Sequence, residues 1–159
     1  MSKELLQGLG SVQTNGTSVI LEKDHLLFTG NIWPTATESY IPISNYANTF
    51  EYDIVFESDA GNYFYVGVER YAADKTTGSN ASCIYVISTS NTAKAKQRVR
   101  GTINLNQDTS SGNKTAFIRL RILNQWTSSS GTGVTAKIYH LSIREITETT
   151  NKISITKQG

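Results

Sequence analysis

Few side chains in this sequence carry the chemistry for catalysis. The candidates are two histidines, His25 and His140, one cysteine, Cys83, and the carboxylates Glu51, Asp53 and Glu57. Glycoside hydrolysis needs two carboxyl groups facing each other across the bond to be broken. Glu51 and Asp53 stand two positions apart, about 7 Å along an extended chain and on the same side of it. They therefore read as one solvated face. Neither histidine has a nucleophile pattern beside it, and Cys83, flanked by Ser82 and Ile84, is expected as a small buried filler. Gly131-Thr132-Gly133 lacks both the strand–helix context and the lysine of a phosphate-binding loop. The expectation is a chain without enzymatic activity.

Residues suited to binding are better represented. Tyr63, Tyr65, Glu69 and Tyr71 fall on alternate positions, with Gly67 between them. A tyrosine ring stacks on the C–H face of a sugar while its hydroxyl bonds ring substituents. The glycine leaves a gap where a sugar ring can sit, and Glu69 can accept bonds from sugar hydroxyls. Trp33 and Trp126, each in a loop-like stretch, are further stacking candidates. The competing explanation is that these tyrosines cover a second core or a subunit interface. Lys94, Lys96, Arg98 and Arg100 form a second row, four cations on one face over roughly 20 Å of strand. Such a row attracts a polyanion, or else guards an edge strand against aggregation. Arg119 and Arg121 repeat the device, facing outward on another strand.

The elements that must position these residues are strands. Thr49–Glu57 puts Phe50, Tyr52, Ile54 and Phe56 on one face and Glu51, Asp53 and Glu57 on the other, the signature of a half-buried strand. Asn62–Tyr71 buries Phe64, Val66 and Val68 in the same way, and Lys114–Asn124 buries Ala116, Ile118, Leu120 and Ile122. Further strands are predicted at Ser18–Leu21, Leu26–Thr29, Tyr40–Ile43, Ser82–Ser88, Val99–Leu105, Ala136–Ile146 and Lys152–Thr156. Ser58-Asp59-Ala60-Gly61 predicts a hairpin between Thr49–Glu57 and Asn62–Tyr71. Asp74–Asn80, Asp108–Asn113 and Thr127–Gly133 are polar loops with glycine. Pro42 suggests an edge position or a strand start. Met1–Leu9 reads as a short turn or an arm. Many short strands with frequent turn signals predict an all-β antiparallel sandwich, a jelly roll of about eight to ten strands with almost no helix.

Composition narrows the function classes. The 159 residues suit one domain. Fifteen basic and 13 acidic side chains leave a charge of +2, and only 18% of residues are charged; 17 Ser, 20 Thr and 12 Asn supply the polarity. With 38% hydrophobic residues the chain is not of the disordered class. A near-neutral balance argues against nucleic acid as partner. Apolar runs reach only four to five residues, so no membrane insertion is expected. No basic, then apolar, leader opens the chain. One cysteine excludes a disulfide framework within the chain.

The order Tyr40-Ile41-Pro42-Ile43, then Thr49–Glu57, then Tyr65-Val66-Gly67-Val68-Glu69-Arg70-Tyr71-Ala72-Ala73-Asp74-Lys75 resembles carbohydrate-binding-module and galactose-binding-like jelly rolls. Such modules occur beside secreted glycosidases and on bacteriophage tail, baseplate and fibre proteins. The resemblance implies an arm and first strand over 1–25, a sandwich over 26–146, and a C-terminal arm over 147–159 with an extra strand. It implies a non-catalytic domain on a phage particle that displays a sugar-binding surface to host glycans. The alternative is a purely structural decoration, head-fibre or adaptor protein. A third reading is an extracellular accessory module of a hydrolase. Expected partners are other virion proteins, a host-surface glycan and further copies of the same chain. Several such modules hold a structural calcium, often with an Asp in the last strand. Here that strand reads Tyr139-His140-Leu141, so no cofactor is expected.

Overall fold

Alternation of apolar and polar side chains builds two layers. In a computed structural model the described residues are 2–14, 16, 18–29, 32–36, 40–45, 48–59, 62–75, 83–89, 92–105, 114–126 and 135–146. The predicted strand Lys152–Thr156, the C-terminal arm, and most of the loops Asp74–Asn80, Asp108–Asn113 and Thr127–Gly133 lie outside them. The described chain forms eleven strands: β1 (Ser2–Gln7), β2 (Val19–Leu21), β3 (Leu26–Thr29), β4 (Ile32–Ala36), β5 (Ile41–Pro42), β6 (Thr49–Ser58), β7 (Asn62–Tyr71), β8 (Cys83–Ser88), β9 (Lys94–Asn104), β10 (Phe117–Trp126) and β11 (Thr135–Ile146). Its one helical piece is a three-residue 3-10 turn, Leu9–Ser11. The all-β antiparallel sandwich expected from the sequence is what forms; the two-residue β5 takes the count just past the expected range.

One sheet runs β2-β3-β11-β6-β9, with β1 also on β11. The other runs β4-β10-β7-β8, with β5 also on β10. We call them sheet A and sheet B. Their facing sides bury Phe28, Phe50, Ile54, Phe64, Val66, Val68, Ile118, Leu120, Ile122, Ile138, Leu141 and Ile143, all fully inaccessible. Burying each such side chain is worth about 1.5–3 kcal/mol. Phe28 packs on Phe64 with ring centroids 5.5 Å apart, which links the two sheets.

Three expectations change. Ser58–Gly61 joins no hairpin: β6 pairs with β9 and β11, whereas β7 pairs with β8 and β10. The chain passes from one layer to the other between β6 and β7, and Asp59, just after β6, is anchored to β11. Its Oδ2 accepts from the Thr135 hydroxyl at 2.6 Å and the Thr135 N–H at 3.2 Å. The leading residues are a strand and not an arm, because β1 lies on β11 from Ser2↔Ile146 to Gln7↔Ser142. Trp33 and Trp126 belong to β4 and β10, not to loops, although their side chains lie outside the description.

In β11 the alternation slips by one residue. Ile138 pairs with Phe56 and His140 with the adjacent Val55, so Tyr139 is an extra residue. A bulge of this kind turns two neighbouring side chains to one face. Tyr139 and His140 both leave the core, while Ile138 and Leu141 stay in it.

Candidate functional site

Strand alternation sends Tyr63, Tyr65, Gly67, Glu69 and Tyr71 to the outer face of sheet B. Register then sets their neighbours. β10 places Leu123 beside Tyr65, Arg121 beside Gly67, Arg119 beside Glu69 and Phe117 beside Tyr71. β8 places Ser88, Tyr85 and Cys83 on the other side of Tyr65, Gly67 and Glu69. The face therefore has two aromatic ends and a polar middle.

At the first end Tyr63 and Tyr65 lie nearly parallel, 6.1 Å apart. Tyr65 meets Tyr85 edge-on at 5.6 Å. Tyr85 is 43% exposed, one of only two large hydrophobic residues so open among those described. The backbones of both tryptophans come to this end. Trp126 pairs with Asn62, next to Tyr63, and Trp33 follows Ile32, the partner of Asn124.

The middle departs from the expectation drawn from the sequence. Glu69 is 7% exposed, and its Oε2 accepts from Arg121 Nη1 at 2.9 Å. A carboxylate buried in an ion pair is not open to sugar hydroxyls. Arg121, on the same outer face, is buried too, at 6% exposed. The gap expected at Gly67 is filled. A Cβ there would stand 2.6 Å from Cys83 Sγ and 2.9 Å from Tyr85 Cδ1, so glycine is what lets these two side chains lie across β7. Cys83 is thus a half-buried part of this face and not of the core. Burial, and then the Glu69 charge, push its thiol up to about 11, which keeps it protonated at neutral pH.

At the second end Tyr71 is 9% exposed, which corrects its place as an open stacking ring. It packs edge-on against Tyr40 at 4.9 Å, and Tyr40 against Phe117 at 6.3 Å. Burial raises the Tyr71 hydroxyl above its usual range, and the nearby Glu69 adds to the effect. An open depression of about 460 Å³ lined by Ala72, Ala73, Asp74 and Lys114 adjoins this end in sequence.

The basic row lies elsewhere, on the outer face of sheet A. β9 pairs only with β6 among the described residues, so Lys94, Lys96, Arg98 and Arg100 sit on an edge strand. The carboxylates of β6 answer them. Arg98 donates through Nε to Asp53 at 2.8 Å and through Nη2 at 2.5 Å. Arg100 lies 3.8 Å from both Glu51 and Asp53. From the other side Arg144 bonds Glu51, and Lys137 stands 3.7 Å from Glu57. Lys96 rests 3.9 Å over the Tyr139 ring, whose hydroxyl donates to Glu57 at 2.5 Å. That bond, with desolvation, pushes Tyr139 up to about 12. Arg98 holds Asp53 below its usual range. Glu51, Asp53 and Glu57 are therefore engaged in charge pairs along one open sheet. Among the described residues no three His, Cys, Asp or Glu side chains are grouped to hold a metal. His25 bonds Asp24 at 2.7 Å, and the half-exposed His140 lies 3.8 Å from Asp53.

Sequence reasoning missed Tyr85 because it lies in Cys83-Ile84-Tyr85-Val86-Ile87, a continuous apolar run without alternation. The available signal was the proximity of Tyr85 to the polar loop before β8.

No family model matches the chain, and no curated protein matches it. Solved structures do. The xylan-binding module CBM15 aligns with a TM-score of 0.51 at 14% identity, over 91% of this chain and 96% of that one. A CBM4 structure aligns with 0.50 at 10% identity, over 87% and 81%. A chain of infectious bursal disease virus, Gx strain, aligns with 0.51 at 9% identity, over 92% of this chain and 31% of that one. The chain has the jelly-roll fold of carbohydrate-binding modules, and one fold serves many functions.

Proposed function

We propose that this chain is a non-catalytic glycan-binding domain, with its sugar contacts on the outer face of sheet B at Tyr63, Tyr65 and Tyr85. The observation that carries the reading is Tyr85, 43% exposed on a stack of two further tyrosines. An aromatic side chain left in water on an aromatic floor offers the flat apolar face and polar rim that a pyranose needs. Trp33 and Trp126 have their backbones at the same end. The xylan-binding module CBM15, which shares the fold, makes xylan the first ligand to try. Each stacked ring contributes on the order of 1 kcal/mol, so Tyr85→Ala is expected to weaken binding about fivefold in affinity electrophoresis. No retardation of the wild-type chain on any of a broad set of glycans would overturn the reading.

The resemblance of the Tyr40–Lys75 order to modules of phage particles supports a place on a virion, among other virion proteins and as one of several copies. Reduced adsorption of particles carrying Tyr85→Ala is the corresponding test. A second reading makes the chain a structural virion component without a sugar ligand. It is favoured by the same exposed Tyr85 on β8, a sheet-edge strand without charge. It expects a stable oligomer by light scattering that Tyr85→Ala dissociates, and no glycan binding.

A further inference from the structure

We infer that β8 is a self-association edge: two copies of the chain pair antiparallel along Cys83–Ser88 and join their B sheets into one. The pairing does not depend on the glycan reading; only the joined platform described below rests on it.

Among the described residues, β2 and β9 end sheet A, and β4 and β8 end sheet B. An end strand offers unpaired N–H and C=O groups to any second strand, and most proteins discourage this. Three of the four ends do so here. β9 carries Lys94, Lys96, Arg98 and Arg100. β4 contains Pro34, which has no N–H to give. β2 is only three residues long. The fourth, Cys83-Ile84-Tyr85-Val86-Ile87-Ser88, has six residues, no charge and no proline. Its one irregularity is the register slip that makes Val86 an extra residue opposite β7. A bulge bends a strand but leaves its uncharged edge exposed.

The backbone shows which groups face outward. Thr89 N–H donates to the Phe64 carbonyl on β7 at 3.2 Å. Successive N–H groups leave an extended strand on opposite sides. The Ser88 N–H therefore points away from β7, towards the free edge.

A second copy is the occupant that suits this edge. A two-fold axis normal to the sheet relates antiparallel strands, so one strand serves as its own complement. Charge separates the two long edges. β9 against β9 would oppose two rows of cations, whereas β8 against β8 opposes none. Tyr85, 43% exposed on β8, gains cover from the facing strand. A ladder of six residues, about 20 Å long, suits a dimer in exchange with its monomer. The same axis keeps the two outer faces together. Tyr63, Tyr65 and Tyr85 of both copies then line one continuous surface, with the two Tyr85 rings nearest the seam.

The test is hydrogen exchange, read residue by residue on the full chain over about a hundredfold dilution, with light scattering for mass. The outward β8 amides, Ser88 among them, should be protected about tenfold more at the concentrated end. The amides of β9 should not change, and the mass should fall from two chains to one. Ser88→Pro removes an N–H that β7 does not use, so it should keep the wild-type melting temperature and stay monomeric. Should that variant unfold, the wild-type dilution series decides alone. One chain's mass at every concentration, or an oligomer whose β8 amides exchange at a constant rate, overturns the pairing. On long xylan the wild type should bind about tenfold or more tightly than Ser88→Pro, and on xylotriose equally. Equal affinity for long xylan overturns the joined platform and leaves the pairing. Failure of both chains to bind any glycan overturns the glycan reading, and the platform with it, but not the pairing.

Discussion

Arg121 reaches from β10 to Glu69 on β7, 2.9 Å from nitrogen to oxygen, and both side chains are more than nine-tenths buried on a face that points away from the core. The pair joins the two central strands of sheet B across its outer surface. It also separates the open tyrosines from the packed aromatics around Tyr71. Buried ion pairs of this kind are costly to halve, because the partner left behind keeps its desolvation penalty. Arg121 Nε already lacks a hydrogen-bond partner among the described residues.

Arg121→Met or Glu69→Gln alone is therefore expected to destabilise the fold by about 3–5 kcal/mol. Replacing both together with apolar residues should recover most of the loss. Urea unfolding of the two single variants and the double variant measures this. Additive losses would show that the two residues are not coupled.

Gly67→Ala should cost about 1–3 kcal/mol, the usual penalty for overpacking. The added Cβ would stand 2.6 Å from Cys83 Sγ. Cys83→Gly in the same chain removes that sulfur and should restore part of the stability. Thermal melts of the pair decide it, and no rescue would mean that Tyr85, 2.9 Å from the same Cβ, is the harder obstacle.

The Cys83 thiol, raised from 9.0 to about 11, should resist labelling. At pH 8 its thiolate fraction is about a hundredfold lower than that of an unperturbed thiol. Higher intrinsic nucleophilicity returns part of this, leaving labelling about tenfold slower in the folded chain than in urea. Because the folded value is raised, the associated stability is present below pH 9 and lost as pH climbs towards 11. Equal labelling rates with and without urea would contradict the buried environment.

Asp53 has the opposite sign. Its bond to Arg98 lowers the carboxyl below 3.8, so the pair stabilises above that pH and ceases to do so as pH falls through the folded value. In Arg98→Gln the urea midpoint should be lower than in wild type near neutral pH. The gap should narrow as pH falls below 3.8 and the folded carboxyl takes up its proton. A gap independent of pH would point to lost packing of the arginine stem instead.

Local pattern made the layers legible. Phe50, Ile54 and Phe56, then Phe64, Val66 and Val68, then Ile118, Leu120 and Ile122 bury their side chains as period two requires, because a pleated strand has only two faces. An edge position for β9 was one of two readings that Lys94, Lys96, Arg98 and Arg100 allowed, because an uncovered strand must discourage pairing along its own length. Arg119 and Arg121 repeat the pattern on β10, which is not an edge, so pairing had to decide between them.

The structure alone decided what depends on pairing between distant segments. Ser58–Gly61 looks the same whether it closes a hairpin or crosses between sheets, since the turn residues report only a local reversal. Tyr63, Tyr65, Glu69 and Tyr71 form one outward row by alternation. Yet Arg121, 52 positions beyond Glu69, buries that carboxylate, while Tyr85 occupies the space above Gly67 and stays open to solvent itself. Side-chain direction is a property of one strand and can be read from its sequence. Exposure is a property of the neighbours, and those are fixed only when the sheets assemble.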